Sequence, residues 1–100
     1  MLNGAIPENI GKLSKLFELN LSSNYLMGVL TESHFANLVN LKYLDLSYNS
    51  LQLNVSENWK PPFECLQIRM CSIKVGSVFP TWLKTQTYLS DLCLSDAGIS

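Results

Sequence analysis

The apolar residues of this chain recur at fixed positions along several consecutive stretches. Counting from a leucine as position 0, apolar residues return at positions 3 and 5, an asparagine stands at position 8, and a leucine follows at position 10. Two stretches carry the whole pattern: Leu16, Leu19, Leu21, Asn24 and Leu26, then Leu41, Leu44, Leu46, Asn49 and Leu51. Two weaker copies follow: Phe63, Leu66, Ile68, Cys71 and Ile73, then Leu89, Leu92, Leu94, Ala97 and Ile99. The starting residues are 25, 22 and 26 residues apart, which indicates a repeat protein.

The pattern predicts one short strand in each repeat. Apolar residues at positions 3 and 5 alternate with polar ones, which is typical of a strand with one buried face, so we expect strands over 18–22, 43–47, 65–69 and 91–95. These strands stack as one parallel sheet about 4.8 Å apart. The inward asparagine amides satisfy backbone groups of the turns. Short helical turns return the chain along the other side, opened by Pro7 and Pro80 or capped by Thr31 or Ser33.

The predicted fold class is therefore α/β, a right-handed solenoid. Its short parallel strands line a concave face, and short 3-10 or irregular segments form the convex face. We expect a single solenoid over residues 1–100, without caps. It divides into a partial repeat at 1–15, repeats at 16–40, 41–62 and 63–88, and a partial repeat at 89–100.

Composition excludes several classes of protein. The 100 residues are 47% apolar and 15% charged, which excludes a disordered chain, and a net charge of −1 with no basic run argues against a nucleic-acid or polybasic membrane binder. No apolar run is long enough to span a membrane, and the first residues lack the features of a signal peptide.

Few residues of this chain are candidates for catalysis or metal binding. The cysteines lack metal-ligand spacing, and we expect Cys65 and Cys93 to be exposed thiols on neighbouring strands. His34 is expected to be an ordinary surface or packing residue. Glu18 and Asp45 fall about 8 Å apart on adjacent strands, a spacing found in some glycosidases, but an open face offers no burial to shift an acidity. We therefore predict no enzyme activity, no cofactor and no metal.

Two groups of phrases carry a family resemblance. The stretch L-N-G-A-I-P at 2–7, leading into L-F-E-L-N-L-S-S-N-Y-L-M-G at 16–28, resembles the plant-specific leucine-rich repeat. The phrases W-K-P-P-F at 59–63, C-S-I at 71–73, F-P-T-W-L-K-T-Q at 79–86 and D-A-G-I-S at 96–100 resemble plant receptor-like proteins of the ethylene-inducing-xylanase-receptor type.

That resemblance implies a function and a location. Proteins of this family are longer and carry a signal peptide, caps and a membrane helix, so the chain is expected to be an internal piece of an ectodomain on the extracellular side of the plasma membrane. It would recognise a protein or peptide ligand, with a co-receptor as a further partner and no nucleic acid, in defence or developmental signalling. Two alternatives stay open: a soluble inhibitor module resembling polygalacturonase-inhibiting proteins, and a truncated product without function.

The resemblance also places a binding surface on the outward positions of the strands. Tyrosine, arginine and acidic side chains there suit protein recognition. The candidate ligand-binding residues are Glu18, Tyr43, Asp45, Tyr48, Gln67, Arg69 and Asp91. Two Asn-x-Ser triplets make Asn20 and Asn54 candidate N-glycosylation sites.

Overall fold

The chain forms two parallel sheets joined by turns and short helices. A computed structural model describes residues 3–56, 58–76 and 80–94. The strands are β1 (Asn3–Ala5), β2 (Glu18–Asn20), β3 (Tyr25–Leu30), β4 (Tyr43–Asp45), β5 (Ser50–Leu53), β6 (Gln67–Arg69) and β7 (Asp91–Cys93). One sheet has the order β2-β4-β6-β7 and the other β1-β3-β5.

Every pairing in the four-stranded sheet is parallel and in register. Glu18, Tyr43, Gln67 and Asp91 form one row across the strands, and Asn20, Asp45, Arg69 and Cys93 form the row two residues further on. The predicted parallel sheet is confirmed, and so is the α/β solenoid of short strands and short helical turns.

Three 3-10 helices return the chain between the strands, over Glu8–Lys12, Glu32–Phe35 and Thr81–Thr85. The first and third follow Pro7 and Pro80, whose fixed φ and missing N–H suit the start of a helix. Thr31 is the N-cap of the second. These starts agree with the predicted turns.

The first two helices approach each other so closely that only glycine fits at the contact. A Cβ on Gly11 would overlap the carbonyl oxygen of Ser33, and the Asn37 N–H donates to the Gly11 carbonyl at 2.8 Å. The absence of a side chain at Gly11 thus sets the spacing between the first two convex turns.

The core lies between the two sheets and the helices. Position 3 of the pattern contributes Leu19, Leu44 and Ile68, of which the last two are fully buried. An aromatic cluster of Phe35, Trp59, Phe63 and Trp82 fills the convex side, with ring centroids 5.3 to 6.5 Å apart. Trp59 is half-buried there, so the Trp-Lys-Pro-Pro loop packs an aromatic ring on the convex side.

The third repeat lies two residues later than the pattern suggested. Its strand begins at Gln67, not at residue 65, and Gln67 pairs with Tyr43. Cys65 therefore occupies position 0 and Met70 position 5, and both are buried. Leu66, expected to face the core, is 36% exposed. The starting residues become Leu16, Leu41, Cys65 and Leu89, spaced by 25, 24 and 24 residues.

Backbone conformation supports this corrected phase. Position 7 is a non-glycine residue in the left-handed region in each of the three repeats: Ser23 at φ 56°, Tyr48 at φ 59° and Ser72 at φ 58°. Ile73, at position 8 and 2% exposed, stands where the first two repeats have asparagine. The assignment of Cys71 to that place is wrong.

The three-stranded sheet was not predicted from the sequence. It pairs β1 with β3 and β3 with β5, and each strand is displaced by two residues against the repeat, so that Gly4 lies beside Leu26 and Gly28 beside Leu51. Gly4 and Gly28, both in Leu-x-Gly phrases, have φ values of 92° and 107°, which favour glycine. A bridge between Gln52 and Lys74 continues the same displacement into the third repeat.

Candidate ligand-binding face

The outer face of the four-stranded sheet, defined by its two rows, carries most of the candidate residues. The inward side chains of these strands form the core, so the alternate positions are left outside. Six of the seven candidates stand in the rows: Glu18, Tyr43, Gln67 and Asp91 in the first, Asp45 and Arg69 in the second. Tyr48 lies just beyond β4 and is 59% exposed. The structure brings the candidates to one face, and their part in binding stays a prediction.

An ion pair links β6 to β7 on this face. Arg69 donates from Nη2 at 2.8 Å and from Nε at 3.2 Å to Oδ2 of Asp91. The hydrogen bond and the charge of Asp91 raise the pKa of Arg69 above its usual value. Asp45 lies beside Arg69 in the register and accepts the Ser47 N–H on Oδ1 at 3.0 Å. Arg69 and Asp91 thus hold each other in a defined orientation.

An aromatic contact fixes the other end of the face. The rings of Phe17 and Tyr43 form a T-shaped contact, with centroids 5.4 Å apart and planes at 65°. Phe17 is 55% exposed and immediately precedes β2. The sequence analysis did not identify Phe17 as part of this face. Its position could have indicated the contact, because Phe17 immediately precedes Glu18, the residue that pairs with Tyr43.

The cysteines differ from the prediction. Cys71 and Cys93 form a disulfide, with Cα atoms 5.4 Å apart, which joins the third repeat to β7. Cys65 is fully buried and carries a thiol that contacts the Leu41 carbonyl at 3.5 Å. Burial raises the pKa of the Cys65 thiol to about 12, which makes it unreactive. The expectation of two exposed thiols was wrong because the phase of the third repeat was wrong.

His34 is buried and has a packing role. Its Nδ1 accepts the Thr31 N–H at 3.0 Å, and its Nε2 lies 3.1 Å from the Ile6 carbonyl, to which the Nε2–H donates. The imidazole therefore ties the second convex turn to the first. The Glu32 carboxylate, two residues before His34, accepts the Ser56 N–H at 2.8 Å, which lowers the pKa of Glu32.

The candidate glycosylation residues are both exposed. Asn20 stands on the outer face, where its Oδ1 accepts hydrogen bonds from the N–H and the hydroxyl of Ser22. Asn54 follows β5, and its N–H donates to the Leu30 carbonyl. A glycan on Asn20 would cover part of the outer face, whereas one on Asn54 would not.

The described part of the chain offers no obvious place for a metal ion. Within residues 3–56, 58–76 and 80–94, no three His, Cys, Asp or Glu side chains lie close enough together to hold one. Over the same ranges, no helix has the length and apolar character needed to cross a bilayer.

Comparison with known proteins shows similarity to two receptor-like proteins and to one receptor. Receptor-like proteins EIX2 and EIX1 of Solanum lycopersicum are 49% identical over 73 residues and 48% identical over 75 residues, which is 73% and 75% of this chain. The chain spans only 7% of the length of each. Toll-like receptor 4 of Gorilla gorilla gorilla is 46% identical over 43 residues, 43% of this chain and 5% of that protein.

Two family models match the chain, both described as leucine-rich repeat. One covers residues 2–51, half of the sequence, and the other covers residues 40–66. Their extent agrees with the parallel sheet, the short convex turns and the repeat spacing described above. The chain belongs to the leucine-rich-repeat family.

Proposed function

We propose that this chain is a non-catalytic recognition segment of a plant extracellular receptor-like protein, in which the outer face of the four-stranded sheet binds a protein or peptide ligand. The observation that carries the proposal is the placement of tyrosine, arginine and acidic side chains in two adjacent rows of that face. Tyrosine and arginine supply much of the energy at protein interfaces. The similarity to two plant receptor-like proteins favours a receptor over other proteins built from this repeat.

The shape and chemistry of the face also favour binding over catalysis. Its strands are only three residues long and lie side by side, so the face is broad and lacks the enclosure that an active site uses to exclude water. Glu18 is exposed to solvent at one side of this surface. In the proposed receptor, the ligand would bind on the extracellular side of the plasma membrane and the signal would serve defence or development. Of the two candidate glycosylation sites, Asn54 is compatible with ligand binding on the outer face, whereas a glycan on Asn20 would cover part of that face.

Peptide selection on the whole folded chain tests the proposal and does not require the natural ligand. Peptides selected from a random displayed library are measured again on the triple variant Tyr43→Ala, Tyr48→Ala, Arg69→Ala. They should bind it about tenfold or more weakly, because three contact side chains are lost. The matched control replaces Lys12, Lys60 and Lys84 by alanine, since all three are exposed and lie away from the outer face.

Both variants are first compared with the parent chain by circular dichroism, so that only equally folded proteins enter the comparison. Selected peptides that lose affinity equally on both triple variants would contradict the proposal. So would peptides that retain full affinity for the variant of the outer face.

A further inference from the structure

The three-stranded sheet has an exposed apolar patch on its middle strand. Tyr25, Met27 and Val29 stand at alternate positions of β3 and are all exposed, whereas Leu26 between the first two is buried. Ala5, which pairs with Met27 in the register, is exposed as well. Single apolar residues are common on protein surfaces, but a contiguous group with a polar border is typical of an interaction site. We call Tyr25, Met27 and Val29 the β3 patch.

A groove adjoins this patch along β5, between β3 and the third repeat. Its volume is about 460 Å³, which falls within the range of sites that take small ligands. The residues that line it include Gly28, Val29, Ser50, Gln52, Ser72 and Lys74. Val29 belongs to both the β3 patch and this β5 groove, so the two form one continuous surface.

Lys74 is the one charged residue among the described residues of this sheet and groove. The strands β1, β3 and β5 contain no acidic or basic residue, and Lys74 joins them through its bridge to Gln52. Its N–H donates to the Leu51 carbonyl at 3.1 Å, and its carbonyl accepts the Leu53 N–H at 2.7 Å. Within the described ranges its ammonium group has no hydrogen bond or ion pair. The backbone of Lys74 is thus fixed beside the groove, while its charge is free to meet an anion.

The apolar patch and the single cation together define the chemistry of a partner. Charge complementarity calls for a carboxylate near Lys74, and covering the β3 patch favours apolar side chains. A second copy of this chain docked through the same surface would bring another lysine and no acid from its strands. An anionic membrane is attracted by clusters of cations, and this surface has one. The observations therefore favour a different protein that carries an acidic residue beside apolar ones.

We propose that the β3 patch and the β5 groove form a second protein-binding surface. A segment of the partner protein places apolar side chains against the β3 patch and an aspartate or glutamate in the β5 groove beside Lys74. This surface belongs to the three-stranded sheet, so the proposal does not depend on ligand binding at the outer face of the four-stranded sheet.

Synthetic peptides serve as probes of the whole chain. The first, the glutamate peptide, is acetyl-Leu-Thr-Leu-Thr-Glu-Thr-amide, and the second has glutamine in place of its glutamate. Titrations followed by NMR at millimolar concentration should show the glutamate peptide shifting the amide signals of Met27, Val29 and Lys74. At low ionic strength it should bind about threefold more tightly than the glutamine peptide, because one exposed ion pair contributes little.

A double-mutant cycle isolates the contact between Lys74 and the carboxylate of the peptide. On Lys74→Gln the glutamate and glutamine peptides should bind equally. On the matched control Lys84→Gln, which removes an exposed lysine of the third helix, the difference of about threefold should remain.

A second pair of variants tests the apolar part of the surface. Met27→Ser with Val29→Ser should weaken the glutamate peptide about tenfold, because two apolar contacts are lost. Leu13→Ser with Val39→Ser removes two apolar side chains that are similarly exposed elsewhere, and it should change affinity less than about twofold. Circular dichroism establishes that the variants are equally folded, and if the patch variant unfolds, the comparison of the two peptides on Lys74→Gln still decides.

Each contrary outcome overturns this second surface. The proposal fails if the amide signals of Met27, Val29 and Lys74 do not shift, if the glutamate preference survives in Lys74→Gln, or if the two serine variants lose affinity equally. Analytical ultracentrifugation tests the alternative occupant. A dimer of the parent chain that disappears in Met27→Ser with Val29→Ser would assign the surface to a second copy and overturn the proposed partner.

Discussion

Replacing Asn49 by alanine should destabilise the chain more than the loss of any other single polar side chain in the second repeat. The Asn49 amide nitrogen donates to the carbonyls of Leu21, Leu46 and Ser47 at 2.8, 3.1 and 3.2 Å. Its oxygen accepts the Leu26 N–H at 3.1 Å. One side chain thus joins the turn of its own repeat to the turn and to β3 of the repeat before it.

The expected magnitude follows from which partners lose their hydrogen bonds. The Leu21 carbonyl keeps a donor from the Asn24 amide, and the Ser47 carbonyl keeps the Ser23 N–H. The Leu26 N–H loses its acceptor and the Leu46 carbonyl loses this donor. A buried group left without a partner costs about 1–3 kcal/mol, and these sites are only partly buried, so Asn49→Ala should lower the free energy of unfolding by about 2–3 kcal/mol.

Urea unfolding measures the total, and hydrogen exchange locates it. The Leu26 amide should exchange faster in Asn49→Ala at constant pH, beyond the change seen for other amides of β3. Ser50→Ala, a change at the neighbouring exposed residue, is the control and should cost less than about 0.5 kcal/mol. A loss below about 0.5 kcal/mol for Asn49→Ala, or an unchanged Leu26 amide, would refute the reasoning.

Three further predictions concern the joints between repeats. Gly11→Ala should lower the free energy of unfolding, measured with urea, by about 1–3 kcal/mol, because the new Cβ would overlap a backbone carbonyl oxygen. A variant as stable as the parent chain would show that the two convex turns can move apart without cost. Glu32 has a lowered pKa because it accepts the Ser56 N–H, so its contribution, below about 1 kcal/mol, is present at neutral pH and lost as pH falls below its ordinary value of 4.5. Glu32→Gln should remove that pH dependence, and an unchanged profile would contradict the assignment. The Cys71–Cys93 disulfide joins residues 22 positions apart, and its reduction should lower the free energy of unfolding by about 3 kcal/mol. Reductant should not change the stability of the double variant Cys71→Ser, Cys93→Ser, and a change there would contradict the assignment of the effect to this bond.

The first two repeats were predictable because each pattern position has one kind of residue. Leucine at positions 0, 3 and 5 and asparagine at position 8 admit only one alignment, and the strands beginning at Glu18 and Tyr43 were found where expected. The third repeat is different. Between Phe63 and Val75 apolar residues are dense enough to fit two alignments, and only the more even spacing of 25, 24 and 24 residues favoured the one that the structure has.

The second sheet escaped prediction for a physical reason. A half-buried strand is recognised by alternation of apolar and polar residues. In β3 the exposed positions are themselves apolar, since Tyr25 is 63%, Met27 57% and Val29 47% exposed, and Gly28 interrupts the strand. Its pairing depends on backbone groups displaced by two residues from the repeat, a relation that side-chain spacing does not reveal.

The error of two residues in the third repeat left the candidate face intact but changed its contacts. Within a strand, side chains alternate with a period of two, so a shift by two keeps Gln67 and Arg69 on the outside. The error falls at the start of the strand, where alternation stops: Cys65 was expected to be exposed and is buried. The shift also moves Arg69 by one row, from the last position of the predicted strand, beside Ser47, to a place beside Asp45. There it has acids on both neighbouring strands and forms its ion pair with Asp91. The place of this ion pair on the outer face, beside Asp45, therefore depends on a register that the sequence pattern alone assigned incorrectly.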